Sequence, residues 1–521
     1  MELQHSDITL LAGRKEWIGL AVLALPALLV SMDMTVMYLA LPTISVALHP
    51  TSAQLLWITD IYNFLEAGLL ITMGTLGDRI GRRRLLLSGA IAFALASALS
   101  AFSTSAVLLI AARGILGMAG ATLLPSSLSL IRNMFHNDRQ RTFAMGVWTT
   151  CFSCGTMLGP LVGGFMLSHF WWGSVFLMGV PVMGLLITIG PSFLPEFREP
   201  VAEKFDLSGA GLSIAATLAI IYGIKQIAAQ GMDGLPALSI VAGLVIGVLF
   251  IRRQQALSHP LIDLALFRIK GFTPALLSLL LVCFGWGGIF LFVAQHLQLM
   301  LDMSPLQAGL WTIPSAGGGV IGSMLAPQLL RVARRGYVMA AGMVILAIGL
   351  GMFSLASGPS GFPFFIIATM LISGGCGITV TLGSDLLIST APPGRAGAAA
   401  GLSETGTTFG LALGVAILGC IGTAFYHAHM AHTLPAGLAP DAATAARSTL
   451  GEALAIARQM PGTRGTALLH TARIAFSGAF AVTAGIAAAL LALSAIIIAF
   501  LLRNGGSDPI SIPSPGNPTS G

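Results

Sequence analysis

A carboxylate and a guanidinium inside apolar segments are the residues of this sequence best suited to chemistry. Asp33 lies in a long apolar run that begins at Trp17, and Arg113 lies well inside another run. A charge at the centre of a bilayer costs about 2.5 to 3.5 kcal/mol or more, so Arg113 is expected to face a wet or paired interior. A buried carboxylate can alternate between holding a proton and facing a cation. Asp33 is therefore the strongest candidate for ion coupling, and a purely structural role is the alternative for both residues.

A short segment between two apolar runs combines glycine, aspartate and arginine at fixed offsets. Glycine permits a tight turn, and an aspartate can cap a helix N-terminus and pair with a nearby guanidinium. A simple basic anchor would not need glycine and aspartate at these offsets, so the segment is predicted to have a conformational role. Its residues are Gly74, Gly77, Asp78, Arg79, Gly81 and Arg82.

Glycines recur every four residues in a third segment. Gly155, Gly159 and Gly163 form one smooth stripe along a helix, against which another helix can pack or slide. Pro160 adds a kink, and Gly164 follows the stripe. Close packing and a hinge are both compatible with this pattern.

The elements that position these residues are membrane helices. The chain has 521 residues, of which 55% are hydrophobic and only 9% are charged, whereas soluble domains carry about 25% charged residues. Runs long enough to cross about 30 Å of hydrocarbon occur at 17–39, 55–76, 85–103, 106–130, 143–167, 175–194, 207–224, 235–251, 274–296, 309–330, 337–357, 362–389, 401–425 and 475–502.

This pattern predicts an all-α membrane protein with six, two and six helices. We expect two six-helix bundles separated by two inserted helices, about fourteen transmembrane helices in total. The predicted divisions are an N-terminal bundle at 1–200, the inserted helices at 201–255, a C-terminal bundle at 256–505 with a long outer loop at 426–474, and a disordered tail at 506–521.

The basic residues predict the orientation. Most of them fall in connectors that lie on one side of the membrane, which by the positive-inside rule places both termini in the cytoplasm. The long outer loop is an exception, and its segment from Thr449 to Met460 is expected to form a short amphipathic helix on the outer surface.

Other classes of function find little support in the sequence. Basic residues scattered among connectors do not form a nucleic-acid surface. All five cysteines lie in apolar stretches, which argues against a disulfide framework or a zinc ribbon. His427, His429 and His432 are close in sequence, but solvated loop histidines are the commoner case, so no metal and no cofactor are predicted. No enzyme motif is found.

Several motifs together resemble one transporter family. The segment Gly74 to Arg84 resembles the loop signature of the major facilitator superfamily, and Arg113 to Ala121 resembles its helix 4 motif. The stripe from Gly155 to Gly164 resembles the helix 5 signature of antiporters in that superfamily, and Asp33 to Pro42 resembles the helix 1 motif of its fourteen-helix drug:proton antiporter group. Within that group the chain is most similar to pumps for quaternary ammonium compounds, over nearly its whole length.

The resemblance implies roles for particular residues. The helix 4 arginine is associated with proton transfer, and Glu404 matches a helix 13 carboxylate of the group. Residues expected to serve proton coupling are therefore Asp33, Arg113 and Glu404. Residues expected to contact substrate are Asp60, Tyr62, Glu66, Trp148 and Glu404, and ordinary core packing is the alternative for the aromatic ones.

The carboxylates depart from the group's pattern. A second helix 13 acid is replaced by Thr408, while Glu66 and Asp385 are acids that the pattern does not contain. The resemblance therefore does not establish whether monovalent or divalent cations are preferred.

The resemblance implies a proton-coupled efflux antiporter in a bacterial inner membrane, acting as a monomer. Its substrates would be lipophilic cations such as quaternary ammonium compounds, dyes, viologens and biguanides. The alternatives are an exporter of a neutral or anionic metabolite or antibiotic, and a membrane sensor that does not transport.

Overall fold

A computed structural model describes residues 11–197, 206–230, 234–257, 264–355, 362–392, 396–435, 438–460 and 463–502. The described residues form α-helices joined by short connectors. The helices are α1 Arg14–Leu48, α2 Ser52–Ile80, α3 Arg82–Ala101, α4 Ala106–Met134, α5 Asp138–His169, α6 Ser174–Leu177, α7 Gly179–Phe193, α8 Leu207–Gln230, α9 Gly234–Ala256, α10 Phe272–Gln295, α11 Pro305–Leu329, α12 Arg335–Leu355, α13 Phe362–Thr390, α14 Ala396–Thr433, α15 Pro440–Ser448, α16 Leu450–Gln459 and α17 Thr463–Leu501.

All fourteen predicted apolar runs fall on these helices. Within the described residues, thirteen helical segments are long and apolar enough to cross a membrane. The remaining predicted run coincides with α11, a helix of 25 residues interrupted by Pro314 and Pro327. The prediction of an all-α membrane protein with about fourteen spans is confirmed. The tail at 506–521 lies outside the described residues.

Several helices extend further than hydropathy alone predicts. α8 continues to Gln230, α14 continues to Thr433, and α17 begins at Thr463. The segment between α14 and α17 is therefore 434–462, shorter than the predicted loop of 426–474. Backbone hydrogen bonds continue past the last apolar residue wherever tertiary packing supports them, so helix ends and apolar ends do not coincide.

The predicted amphipathic helix in this segment is present as α16, but it is not confined to the surface. Its side chains from Leu450 to Leu454 are buried. Glu452 approaches His49 at the end of α1, with 2.8 Å between the carboxylate Oε1 and the imidazole Nδ1. Thr449 caps α16 by accepting a hydrogen bond from the Glu452 backbone N–H at 3.2 Å. α16 thus packs against the end of α1.

One compact unit contains the described parts of residues 1–263, 287–313 and 408–483. Within it, α1 packs against α5, α2 against α4, and α8 against both α9 and α2. Small residues make these close approaches possible. A Cβ at Gly117 of α4 would collide with the backbone of Tyr62 on α2. Phe64, Ile221 and Ala416 form an apolar cluster that joins α2, α8 and α14.

The other unit contains residues 264–286, 314–407 and the described part of 484–521. Here α12 and α13 are closely packed, and Gly318 of α11 lies against the backbone of Met370 on α13. A buried polar contact joins α11 to α13, because the hydroxyls of Ser315 and Ser373 are 2.7 Å apart. The predicted C-terminal bundle, 256–505, is divided between the two units.

Candidate functional site

Asp33 and Arg113 form an ion pair between α1 and α4. A guanidinium Nη1 of Arg113 donates to Oδ2 of Asp33 at 2.5 Å. The Arg113 side chain is 1% exposed, whereas that of Asp33 is 13% exposed. The two residues that the sequence singled out for ion coupling, 80 positions apart, thus lie in direct contact. Because the carboxylate retains some exposure, this pair is open on the aspartate side.

The rest of the Arg113 environment stabilises a cation. Its Nε donates to the backbone carbonyl of Ile58 at 3.4 Å. The guanidinium lies 4.6 Å from the centre of the Tyr62 ring and 5.9 Å from that of Phe176. Aromatic faces attract cations, and the attraction is larger where water is excluded. Arg113 is therefore held in position by α2 as well as by Asp33.

Tyr62 connects this pair to Glu66. The two residues lie one helical turn apart on one face of α2, and both are fully buried. A Cβ placed at Gly120 of α4 would lie 2.8 Å from the Tyr62 hydroxyl and 3.2 Å from Oε1 of Glu66. The hydroxyl and the carboxylate thus approach α4 at the same glycine. Asp33, Arg113, Tyr62 and Glu66 form a continuous run of polar groups across α1, α4 and α2.

Asp60 lies in a different setting, in an ion pair with Lys225 of α8. The Lys225 Nζ donates to Oδ1 of Asp60 at 2.7 Å, and both side chains are 0% exposed. The ammonium also lies 3.7 Å from the centre of the Trp57 ring. The sequence analysis overlooked Lys225 because the predicted span ended at 224. The signal was nonetheless present, since Lys225 interrupts an apolar stretch that continues on both sides.

Glu404 of α14 belongs to the second unit. Its side chain is exposed and is close enough to interact electrostatically with Cys283 of α10, which in turn lies near Cys376 of α13. Thr408, one turn along α14, is buried. Asp385 near the end of α13 pairs with Arg335 at 2.8 Å and is 60% exposed, as expected for a solvated position.

Trp148 of α5 is buried and stacks on Phe152, with ring centres 5.9 Å apart and an angle of 16° between the planes. Its indole N–H has no hydrogen-bond partner among the described residues. A buried indole normally finds such a partner, so this donor is available for a further contact.

The glycine and arginine segment forms the junction between α2 and α3. Gly81 has φ of 111°, a conformation that favours glycine, and its N–H donates to Gly77 at 3.0 Å. The sequence analysis expected Gly77 to permit the turn as well, but Gly77 lies inside α2 and instead leaves room for the buried Arg82 side chain. Gly74 has open space around it, and Arg79 is exposed.

Asp78 also departs from the sequence analysis. It was expected to cap a helix N-terminus, but it lies inside the last turn of α2. Its side chain is outside what the structure describes. The junction is held instead by Arg83, which donates to the carbonyls of Pro191 and Leu194 at 3.2 and 3.0 Å.

The glycine stripe of α5 faces α1. A Cβ at Gly155 would collide with Leu28 and Ser31, and one at Gly159 with Thr35. Gly163 lies against Val36, and Gly164 lies against the backbone of Pro305. Pro160 lies inside α5, between Gly159 and Gly163. The stripe thus packs against the part of α1 that carries Asp33.

The loop histidines do not gather into a metal site. His427 Nε2 lies 3.0 Å from the Ser52 hydroxyl and 3.2 Å from the Ser448 carbonyl oxygen, while His429 and His432 are exposed. No group of three or more histidine, cysteine or acidic side chains suited to a metal ion occurs in the part of the chain that the structure describes.

These motifs and this fold agree with one family. The sequence pattern described as Major Facilitator Superfamily matches residues 23–415. The chain belongs to the major facilitator superfamily. The resemblance seen in the sequence motifs is confirmed, and the superfamily consists of membrane transporters rather than enzymes.

Curated members of the superfamily resemble the chain over most of its length. It is 41% identical to the multidrug efflux pump LfrA of Mycolicibacterium smegmatis, covering 94% of this chain and 97% of that protein. It is 34% identical to the methyl viologen resistance protein SmvA of Salmonella typhimurium, covering 94% and 98%. It is 31% identical to the tetracenomycin C resistance and export protein of Streptomyces glaucescens, covering 80% and 78%.

Solved structures support the fold. A bacterial homologue of the human lysosomal transporter Spinster matches with a TM-score of 0.65 over 96% of this chain and all of that chain, at 16% sequence identity. The nucleoside transporter NupG matches with a TM-score of 0.57 at 14% identity. The major facilitator fold predicted from the sequence is therefore confirmed.

Proposed function

We propose that the protein is a proton-coupled multidrug efflux antiporter that exports lipophilic cations. Quaternary ammonium compounds, cationic dyes, viologens and biguanides are the substrate classes. The observation that carries the proposal is the Asp33–Arg113 ion pair inside the membrane helices. The likeness to a multidrug efflux pump and to a methyl viologen resistance protein, each over 94% of the chain, supports the same class of cargo.

Asp33 is the proton-exchanging group in this proposal. An ion pair with Arg113 requires the ionised carboxylate, so a proton on Asp33 removes the pair and frees the guanidinium. Asp33 is also the exposed partner, at 13%, which allows a proton to reach it. The contact between the two side chains thus differs between the protonated and deprotonated states. A group of this kind can link proton binding to a change in helix packing.

Glu404 supplies the attraction for the substrate cation and takes part in coupling. The Asp33–Arg113 pair carries no net charge, so the exposed carboxylate of Glu404 is the better electrostatic partner for a positive ligand. Tyr62 and Trp148 contribute aromatic surface, and Glu66 contributes an acidic group beside Tyr62.

Transport follows alternating access. In the inward-open state, deprotonation of Asp33 and of Glu404 favours cation binding; in the outward-open state, protonation releases the cation. Exchange of one proton for one monovalent cation is electroneutral and is driven by the pH gradient alone, about 1.4 kcal/mol per pH unit. A second proton would add about 2.3 kcal/mol per 100 mV of membrane potential.

The packed glycines are the sliding surfaces of this cycle. Gly155, Gly159 and Gly163 let α5 move along α1, and Gly81 sets the junction between α2 and α3. We place the protein as a monomer in a bacterial inner membrane with both termini in the cytoplasm, as the distribution of basic connectors indicates.

Ethidium transport in proteoliposomes tests the proposal. An imposed pH gradient should drive ethidium movement by the wild type, a protonophore should abolish it, and Asp33→Asn should prevent it. Asp385→Asn is the matched control, because Asp385 is also in a membrane helix but is 60% exposed and paired with Arg335; it should transport normally. Ethidium movement that ignores the protonophore would rule out proton coupling.

A neutral or anionic antibiotic is the second candidate cargo. Two observations favour it: Thr408 stands where the group has a second acid, and the chain is 31% identical to a tetracenomycin C export protein. Proton-gradient-driven movement of a neutral antibiotic with no ethidium movement, in the same vesicles, would support this candidate over the first.

A further inference from the structure

The buried ion pair between Asp60 and Lys225 has no assigned role in the mechanism described so far. Asp60 lies on α2 and Lys225 on the first inserted helix, α8. We propose that Lys225 is a positioning residue that holds Asp60 ionised at neutral pH and so excludes it from both proton exchange and substrate binding. The exclusion from proton exchange rests on the proposed function; the ionised state of Asp60 does not.

The geometry around the ammonium favours the charged form. Lys225 Nζ donates to Asp60 at 2.7 Å and lies 3.7 Å from the centre of the Trp57 ring. The attraction to the ring exists only for the cation. If the proton moved to the carboxylate, both this attraction and the ion pair would be lost.

The geometry around the carboxylate gives the same result. Oδ2 of Asp60 is buried and has no hydrogen-bond partner among the described residues. A proton placed on Oδ2 would therefore have no acceptor, and a buried donor without an acceptor is unfavourable. On Oδ1, a proton would displace the bond from Lys225. The bond from Lys225 to Oδ1 is the contact that favours the ionised carboxylate.

The other titratable and charged groups around the pair come from three helices. Tyr38 of α1 and Cys420 of α14 are near enough to interact electrostatically with Asp60, and Arg113 of α4 interacts with Tyr38. None of these adds a second carboxylate next to Lys225. The single ammonium is thus matched to the single carboxylate.

Apolar side chains seal the pair. Ile221, one turn before Lys225, belongs to the cluster that contains Phe64 and Ala416, and Trp57 packs against that cluster. Asp60 and Lys225 are both 0% exposed, in contrast to Asp33. The ion pair with Lys225, together with these apolar side chains, keeps both a proton and a substrate cation from the Asp60 carboxylate in this proposal. The inserted helix α8 therefore supplies the positive charge that balances Asp60 on α2. This is a more specific role than separating neighbouring helices.

Infrared spectroscopy of the purified protein at neutral pH tests this without any transport. A protonated carboxyl gives a carbonyl band that shifts in deuterated water. Lys225→Met should gain one such band relative to the wild type, and adding Asp60→Asn should remove it again. Lys225→Arg, which keeps the charge, should show no band. Arg253→Met is the control for loss of a cationic partner, because Asp206 lies outside the membrane spans and should stay ionised.

Asp60→Asn alone provides the second readout if Lys225→Met does not fold. Subtracting its spectrum from that of the wild type should show the bands of an ionised carboxylate. A protonated carboxyl band in that difference, or no new band in folded Lys225→Met, would overturn the proposal. Failure of ethidium transport by the wild type would instead refute the export of cationic substrates and leave the infrared result standing.

Discussion

Two ion pairs lie inside the same unit and differ in how far they are sealed. Asp33–Arg113 joins α1 to α4 and leaves its carboxylate 13% exposed. Asp60–Lys225 joins α2 to α8 and is 0% exposed at both ends. The second pair is enclosed by Trp57 and an apolar cluster. In the proposed mechanism only the first pair exchanges a proton, and access to one of its partners is the feature that distinguishes it from the second.

Breaking the sealed pair, Asp60–Lys225, should cause the largest loss of stability. Lys225→Met or Asp60→Asn alone leaves one buried charge or polar group without its partner, and breaking such a pair costs about 3 to 5 kcal/mol. Removing both partners should restore most of that loss, because a buried pair contributes little net stability. Thermal unfolding of the two single variants and the double variant in detergent measures this. Single variants as stable as the wild type would show that the pair is not formed.

The open pair should behave differently when both partners are neutralised. Asp33→Asn combined with Arg113→Met should recover stability relative to Asp33→Asn alone, yet exchange should stay at about one-hundredth of the wild-type rate or less, because Asp33, the proton-exchanging group of the proposal, is absent. Ethidium exchange and unfolding temperature are measured on the same preparations. Recovery of exchange in this double variant would give Asp33 a purely structural role.

A substitution that disturbs the packing of α5 against α1 near the Asp33–Arg113 pair should have an intermediate effect on stability. A Cβ at Gly159 would meet Thr35 and the backbone of Met32, two close neighbours of Asp33 in the sequence. Gly159→Ala should destabilise the protein by about 1 to 3 kcal/mol and slow exchange. Gly146→Ala on the same helix is the control, because nothing lies within 4 Å of its added Cβ. Unfolding temperatures should fall for the first variant only.

A third ion pair, between Asp206 just before α8 and Arg253 near the end of α9, should have the smallest effect. Arg253 donates to Asp206 at 2.8 and 3.0 Å and lowers the pKa of that carboxyl below its usual range. A lowered pKa adds stability above the ordinary aspartate range, and this stability is lost as the pH falls through the folded-state pKa. Asp206→Asn should thus cost at most about 1 kcal/mol near neutral pH.

That difference should disappear in acid. Unfolding temperatures of the wild type and Asp206→Asn, measured from neutral pH to below the ordinary aspartate pKa, should converge as the pH falls. A constant difference over that range would mean that the pair with Arg253 does not determine the protonation of Asp206.

The sequence was sufficient to predict the fold and to single out both residues of the Asp33–Arg113 pair, but not both residues of the Asp60–Lys225 pair. Apolar runs located the membrane helices, and the arginine inside one run predicted a paired interior, which Asp33 supplies. Lys225 was overlooked because hydropathy ends a span at a charged residue, although α8 continues to Gln230. A charged residue lowers the hydropathy of its segment equally whether it is solvated or paired inside the protein. Pairing between α2 and α8 is a tertiary contact that no local pattern contains.

The role of Gly77 shows the same limit. Its spacing from Gly81 suggested two glycines at a turn, but only Gly81 has a positive φ, while Gly77 makes room for the buried Arg82 side chain. Glycine is required for backbone conformation in one case and for side-chain space in the other. Sequence alone does not distinguish these reasons.

Substrate-induced proton release tests the central claim most directly. Ethidium is added to purified protein in weakly buffered detergent solution, and the released protons are counted for the wild type and for the two doubly neutralised variants. We expect release from the wild type and from Asp60→Asn/Lys225→Met, and none from Asp33→Asn/Arg113→Met. Release that persists without Asp33 but disappears without Asp60 would contradict the account and make the sealed pair the coupling site.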